Sequence, residues 1–384
     1  MEGLSARPPY SDLAMRRAQP VDIPELVRLE ADGFRTDRIS ARQFHHLLSK
    51  GHAVCLVLEH AGILAGYALL LFRAGTALAR LYSIVVDPAW RGQGLARELL
   101  SAAEDEAREH ECSHVRLEVR TDNARAIAIY RESGYHDLGE ISDYYEDHTP
   151  ALRMEKRLHP AHAPVNTRIP YYPQSIDFTC GPAALMMAMK ALDPTMHLDR
   201  MLEFRLWREA TTIFMSAGHG GSSPQGLALA AWYRGFDVDL HLSDEGPLFL
   251  DGVRDPRKKE VVELVHRGFM DEIAQSGIGM YYTRLGVADL ETRHADGAVP
   301  IVLISSYRIY RKKDPHWIVL TGLDDRFIYA HDPYVDADEG GTEMDSMNVP
   351  IVKREFERMS RYGKSQLRAV IVVKKRREAP WQLQ

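Results

Sequence analysis

Between Leu158 and Pro170 the chain reads LHPAHAPVNTRIP, prolines and small or polar residues with neither helical nor strand period. Such a stretch suits a linker, and the patterns on its two sides differ. Before it, apolar runs alternate with helical spacing. Strands are expected at Met15–Ala18, Ala53–Leu58, Leu64–Phe72, Leu81–Val86 and Val115–Val119, and helices over Val21–Asp32, Ala41–Leu48, Leu95–His110 and Asn123–Ser133, the last ended by Gly134. After it come a helix over Cys180–Leu192, a broken helical middle through Val265, and late strands at Pro300–Ser305, Trp317–Gly322, Arg326–His331 and Ala369–Val373. The first order predicts an α/β fold and the second an α+β fold. With 384 residues, more than one core usually organises, the expected division is a flexible tail 1–14, a domain 15–158, a linker 159–168 and a domain 169–384.

A net charge of -6 with 27% charged residues gives no bulk attraction to nucleic acid or to an anionic membrane, so partners have to be argued from sites. The stretch Ala53–Phe72 is interrupted by Glu59 and His60 and reads as two strands, not a membrane span. The N-terminal residues lack the apolar core of a signal peptide, and three scattered cysteines form no disulfide framework. The expectation is a cytoplasmic protein. His45, His46, His159 and His162 have no carboxylate or cysteine completing a ligand set, so no metal is expected.

The first candidate site follows the strand Leu81–Val86. Asp87-Pro88 leads to Arg91-Gly92-Gln93-Gly94-Leu95-Ala96 and then a helix. A strand, glycine loop and helix start present unpaired N–H groups and a positive helix end, which bind phosphate. The glycines allow close backbone approach, and Arg91 adds a charge-assisted contact. From Met15 to Leu158 the chain resembles the GNAT acyltransferases, whose signature Arg91, Gly94 and Ala96 match in order. The run Leu117–Tyr135 is similar to the acetyltransferases of ribosomal-protein N-termini. The resemblance implies a mixed-sheet fold and acetyl-CoA as cofactor, held by the amides of Gln93 to Ala96 with Val86, Arg91 and Gly92 alongside. Amine acetylation needs a base and an acid on opposite sides of the reacting carbonyl. Glu118, directly or through water, suits the base, and Tyr130 the acid. Each has a plainer reading, as a solvated strand residue and as a packing aromatic. Asn123 reads equally as a contact to the pantetheine arm and as a helix N-cap.

The second candidate site is built on Cys180, at the start of an apolar helix with Pro182 in the first turn and Thr179 or Asp177 available to cap it. A helix N-terminus favours a thiolate. His316 opens one late strand and Asp332 closes its neighbour, so strand ends can bring carboxylate to imidazole. Gln174, six residues before the cysteine, can donate to an oxyanion. From Ile169 to Val373 the chain resembles the papain-like peptidases that remove leader peptides after a double glycine in bacteriocin precursors. That resemblance implies Cys180 as nucleophile, His316 as base, Asp332 as orienter and Gln174 as oxyanion donor. The chain departs from those peptidases in lacking transporter segments and in a long middle region containing Asp255–Glu260.

Together these readings predict a bifunctional enzyme acting on a peptide or protein. The peptidase would cleave a peptide or isopeptide bond, and the transferase would cap an exposed amine. Three other readings stay open: a second domain that only binds peptide, one that transfers acyl groups as transglutaminases do, and a first domain acting on small amines. Oligomeric state is not legible.

Overall fold

The computed structural model describes residues 13–49, 52–159, 169–215, 218–248, 250, 253–336 and 342–376. Most of the expected tail and linker, with His162, lies outside these residues. The chain divides into two compact units, Met1–Ala161 and His162–Gln384, each considered by itself.

The first unit contains β1 (Ala14–Arg17), α1 (Ile23–Gly33), α2 (Ala41–Ser49), β2 (Ala53–His60), β3 (Ile63–Phe72), β4 (Leu78–Val86), α3 (Leu95–Glu109), β5 (His114–Arg120), α4 (Ala124–Glu132), β6 (His136–Ile141) and β7 (Ala151–Arg157). They form a mixed sheet in the order β1-β2-β3-β4-β5-β7-β6. Helix α3 buries Leu95, Leu99, Leu100, Ala103 and Ala107, the i, i+4 stripe that packs on one sheet face. Leu26, Leu29 and Phe44 of α1 and α2 cover the other face against Val57, Tyr67, Leu69 and Val85. The β3–β4 register slips so that Leu69 faces Ser83 while Leu70 faces Leu81, leaving Tyr82 as an extra residue. Strand β4 pairs in parallel with β5 only from Leu78 to Leu81, opposite His114 to Leu117. Beyond that point the two strands no longer pair.

The second unit contains α5 (Cys180–Leu192), α6 (Arg200–Ala210), β8 (Phe214–Met215), β9 (Gly218–His219), α7 (Pro224–Tyr233), β10 (Phe236–Leu242), α8 (Pro256–Ala274), β11 (Gly279–Tyr281), α9 (Val287–Ala295), β12 (Val299–Ser305), α10 (Tyr307–Tyr310), β13 (Pro315–Leu323), β14 (Phe327–His331), α11 (Glu343–Ser346), β15 (Val349–Val352), α12 (Lys353–Met359) and β16 (Ala369–Lys375). Its main sheet runs β11-β10-β16-β12-β13-β14-β15. Helices α5 and α7 pack on one face against Ile301, Leu303, Trp317, Val319 and Ile371. Leu290, Phe356 and Met359 cover Val302, Ile304, Ile318 and Val370 on the other. Burial on both faces explains why β12, β13 and β16 read as continuous apolar runs. Helix α5 is buried without interruption from Cys180 to Met189. A Cβ at Gly226 would lie 2.6 Å from the Ala210 Cα, so the close crossing of α6 and α7 needs glycine there. The broken helical middle is corrected by β10, a strand inside that region that pairs with β16 over its whole length.

Candidate functional sites

In the first unit the divergence of β4 and β5 leaves residues 82–86 unpaired toward β5, directly before the glycine loop. Asp87 fixes the entry to that loop. One oxygen accepts from the Ala89 amide at 2.8 Å and the other from Arg28 at 2.8 Å. Arg91 is exposed and donates through Nε to the Val86 carbonyl at 3.2 Å, so the loop folds back on the strand end. Gly92 and Gly94 have φ of 82° and 85°, a left-handed conformation that glycine adopts without strain, and a Cβ at either would meet nothing within 4 Å. Space therefore lies in front of the loop, and the first amides of α3 have no intrahelical partner. These features fit a pyrophosphate cradle.

Glu118, on β5 where the strands part, is not a solvated strand residue. Its side chain is 5% exposed. Oε2 accepts from Arg80 Nε at 2.8 Å and Oε1 from Arg153 Nε at 2.6 Å. Arg80 also donates to the Tyr144 hydroxyl at 2.6 Å. Tyr130 of α4 is buried, and burial pushes its phenol pKa up. Burial likewise pushes Tyr144 up to about 12 and raises Tyr145, whose hydroxyl is within electrostatic reach of both Glu118 and Tyr130. These two tyrosines, from the turn between β6 and β7, were missed in the sequence. The adjacent aromatic pair was the available signal. Asn123 caps α4, its Oδ1 accepting from the Ala126 amide at 3.1 Å.

In the second unit Cys180 is the first residue of α5. Thr179 holds the N-cap position but does not cap. Its hydroxyl donates to the Ile176 carbonyl at 2.9 Å, and no side-chain cap bond forms at that helix start, which corrects the expected capping by Thr179 or Asp177. Cys180 lies close enough to His316 to help raise its pKa, and His316 Nε2 meets Asp332 Oδ1 at 2.6 Å. With Nε2 engaged by the carboxylate, Nδ1 is the nitrogen left for the thiol. Burial alone drives His316 toward neutrality, but the Asp332 charge and hydrogen bond outweigh it and raise the imidazole pKa to about 10.

Asp332 is itself held from several directions. Oδ1 also accepts from the Tyr334 amide at 2.9 Å, and Oδ2 accepts from the Tyr310 hydroxyl at 2.5 Å. The Tyr310 ring stands edge-on to His316, with centroids 6.2 Å apart. The segment carrying Gln174 is tied to the same turn: the Gln174 amide donates to the Pro333 carbonyl at 2.8 Å and Tyr171 to the Asp332 carbonyl at 3.0 Å. Gln174 Nε2 donates to the Ile176 carbonyl at 3.0 Å, which engages one of its two N–H groups. Ser222 Cβ lies 3.0 Å from where a Cβ added at Gly181 would stand, and the Ser222 hydroxyl is buried with no hydrogen-bond partner among the described residues. Tyr310 and Tyr334 carried no sequence signal.

Comparison with known proteins finds two families in the chain. The Acetyltransferase (GNAT) family profile matches residues 22–135, and the Peptidase_C39 like family profile matches residues 169–374, more than half of the chain. The putative [ribosomal protein bS18]-alanine N-acetyltransferase of Bacillus subtilis (strain 168) is 31% identical over 134 residues, covering 35% of this chain and 87% of that protein. The N-alpha-acetyltransferase RimI of Mycobacterium tuberculosis (strain ATCC 25618 / H37Rv) is 34% identical over 140 residues, covering 33% of this chain and 85% of that protein. The crystal structure of the ribosomal-protein-S18-alanine N-acetyltransferase from Escherichia coli is 26% identical with a TM-score of 0.36, covering 39% of this chain and 96% of that one.

Proposed function

Because the chain belongs to the GNAT acetyltransferase family through its first unit and to the Peptidase_C39 like family through its second, we propose a bifunctional enzyme that acetylates a peptide or protein amine and hydrolyses a peptide or isopeptide bond. We assign the transferase to residues 15–158 and the thiol hydrolase to 169–384. A cytoplasmic location is supported by three free, buried cysteines. No helix among the described residues is long and apolar enough to cross a membrane.

For the transferase, the reading rests on the parting of β4 and β5 just before the glycine loop. Acetyl-CoA, when bound, supplies the thioester and a thiolate leaving group. Gln93, Gly94, Leu95 and Ala96 offer backbone amides to its pyrophosphate, with Arg91 adding charge and Val86 lying beside the arm. Both oxygens of Glu118 are engaged by guanidinium groups, so the carboxylate takes the amine proton through a water held on a remaining lone pair. Tyr130 keeps its phenolic proton at neutral pH and can give it to the departing sulfur.

For the hydrolase, the observation that carries the reading is His316, bonded to Asp332 and within electrostatic reach of Cys180. Cys180 Sγ attacks the carbonyl, and the free Gln174 N–H and the Cys180 amide receive the oxyanion. His316 protonates the leaving amine, then removes a proton from the water that releases the acyl group. The test offers acetyl-CoA with an alanine-starting peptide and, separately, with small polyamines, and identifies products by mass spectrometry. Acetylation at the peptide N-terminus, reduced in Tyr130→Phe, is expected. Acetylation of the polyamines alone would reject the protein-directed reading.

A further inference from the structure

The thiol site occupies one end of the second sheet, and a separate group of arginines lies at the same end. His316 pairs with Ile304, and β12 pairs with β16 through Val302 and Val370. Continuing that register by two residues sets Arg368 opposite Ile304. Residues two apart share a face, so Arg368 falls on the face of Val370 and Ile304. Two strand spacings, roughly 10 Å, separate its backbone from that of His316. The turn before β16 is also tied to the loop that leads into the catalytic strand, since the Tyr362 hydroxyl donates to the Lys313 carbonyl at 3.2 Å.

There a cavity of about 230 Å³ is lined by Arg284, Arg361, Gln366 and Arg368. Arg368 is fixed, donating to Glu357 at 2.6 Å and to the Leu285 carbonyl at 3.2 Å. Among the described residues neither Arg284 nor Arg361 takes part in an ion pair, whereas Arg368 is paired with Glu357. Gln366 is held at φ 52°, an uncommon conformation for a residue other than glycine, which marks a turn fixed by its surroundings. Paired backbone bonds between Tyr362 and Leu367, at 2.8 and 2.9 Å, close that turn. The cavity thus has excess positive charge in forked donors, a chemistry matched to planar carboxylates.

We propose that this cavity is an anionic subsite of the thiol hydrolase that takes a carboxylate of the peptide substrate. The carboxylate belongs either to an acidic side chain or to the peptide's C-terminus. The proposal rests on the hydrolase reading above and gives it a substrate class.

The test measures fluorescence anisotropy of labelled peptides with the full chain carrying Cys180→Ala. Hexaglutamate and hexaglutamine are each used as free acid and as C-terminal amide. If a side chain is bound, hexaglutamate amide binds about tenfold or more tighter than hexaglutamine amide. If the terminus is bound, hexaglutamine acid gains that advantage over its own amide. In either case Arg284→Gln with Arg361→Gln removes the preference, and the paired lysine replacements restore part of it. Binding indifferent to peptide charge, or a preference that survives the glutamine replacements, overturns the proposal. So does binding of inorganic phosphate with no preference among the peptides. Iodoacetamide labelling of Cys180 in the unaltered chain is run alongside. Slow labelling there counts against the hydrolase reading and leaves the anisotropy result to decide the subsite.

Discussion

Glu118 and Asp332 are the central carboxylates of the two sites, and both side chains are 5% exposed. Their partners differ. Glu118 lies between Arg80 and Arg153, cations that stay charged throughout the working pH range. Asp332 faces His316 and two neutral donors, Tyr310 and the Tyr334 amide, so its only cationic partner in that set is one that can titrate. Equal burial therefore serves two purposes. A carboxylate between arginines has a fixed electrostatic setting, whereas one beside imidazole controls a proton that chemistry can move.

The sharpest way to break this contrast is at Glu118. Glu118→Gln keeps the shape and removes the proton acceptor, and acetyl transfer to an alanine-starting peptide should fall by about 10²–10⁴-fold. An unchanged rate would make Glu118 structural only. Next comes the fixed setting itself. Arg153 is fully buried, and Arg153→Met strands the Glu118 charge against one remaining cation. The first unit should lose about 3–5 kcal/mol, read as faster hydrogen exchange in β5 and β7 while the second unit is unaffected.

At the other carboxylate, Tyr310→Phe removes one donor from Asp332 and should slow Cys180 alkylation by about tenfold or less, corresponding to about 1 kcal/mol. Loss of the pH dependence of that alkylation would show a larger role for Tyr310. A further effect is on stability. The His316 pKa is raised in the folded state to about 10 from roughly 6.5 in the unfolded chain. Its stabilising contribution is therefore fully present below about pH 6.5 and is lost as pH rises through about 10. Asp332→Asn should flatten this slope in urea titrations of the second unit.

Much of the architecture was legible because burial leaves a one-dimensional trace. The unbroken apolar run of α5 and the β-branched runs of β12, β13 and β16 announce elements covered on both faces. Strand β10 was hidden among helices although FDVDLHL alternates. Its polar face carries Asp239, whose burial becomes intelligible only with Lys374 and Arg293 placed 2.6 and 3.1 Å away by β16 and α9. Strand β6 is mostly exposed and offers no apolar period to read. The same limit applies to the sites. Cys180, His316, Asp332 and the glycine loop announce themselves by residue type, but the groups that set their electrostatics do not. Arg80 and Arg153 lie 38 and 35 residues from Glu118, and Tyr310 lies 22 from Asp332, so strand pairing and turns, not spacing, bring them together.

The central claim is that a titratable imidazole supplies the countercharge for a reactive thiolate in the second unit. The most direct test is the pH dependence of iodoacetamide labelling at each cysteine, resolved by peptide mapping, with His316→Ala alongside. Cys55 and Cys112 serve as internal references, because burial raises the first thiol pKa and pushes the second up to about 12. The account predicts rapid labelling of Cys180 well below the roughly 8.5 of a free thiol, abolished in His316→Ala. Labelling of Cys180 that begins only near that value, and is unchanged without His316, would contradict it.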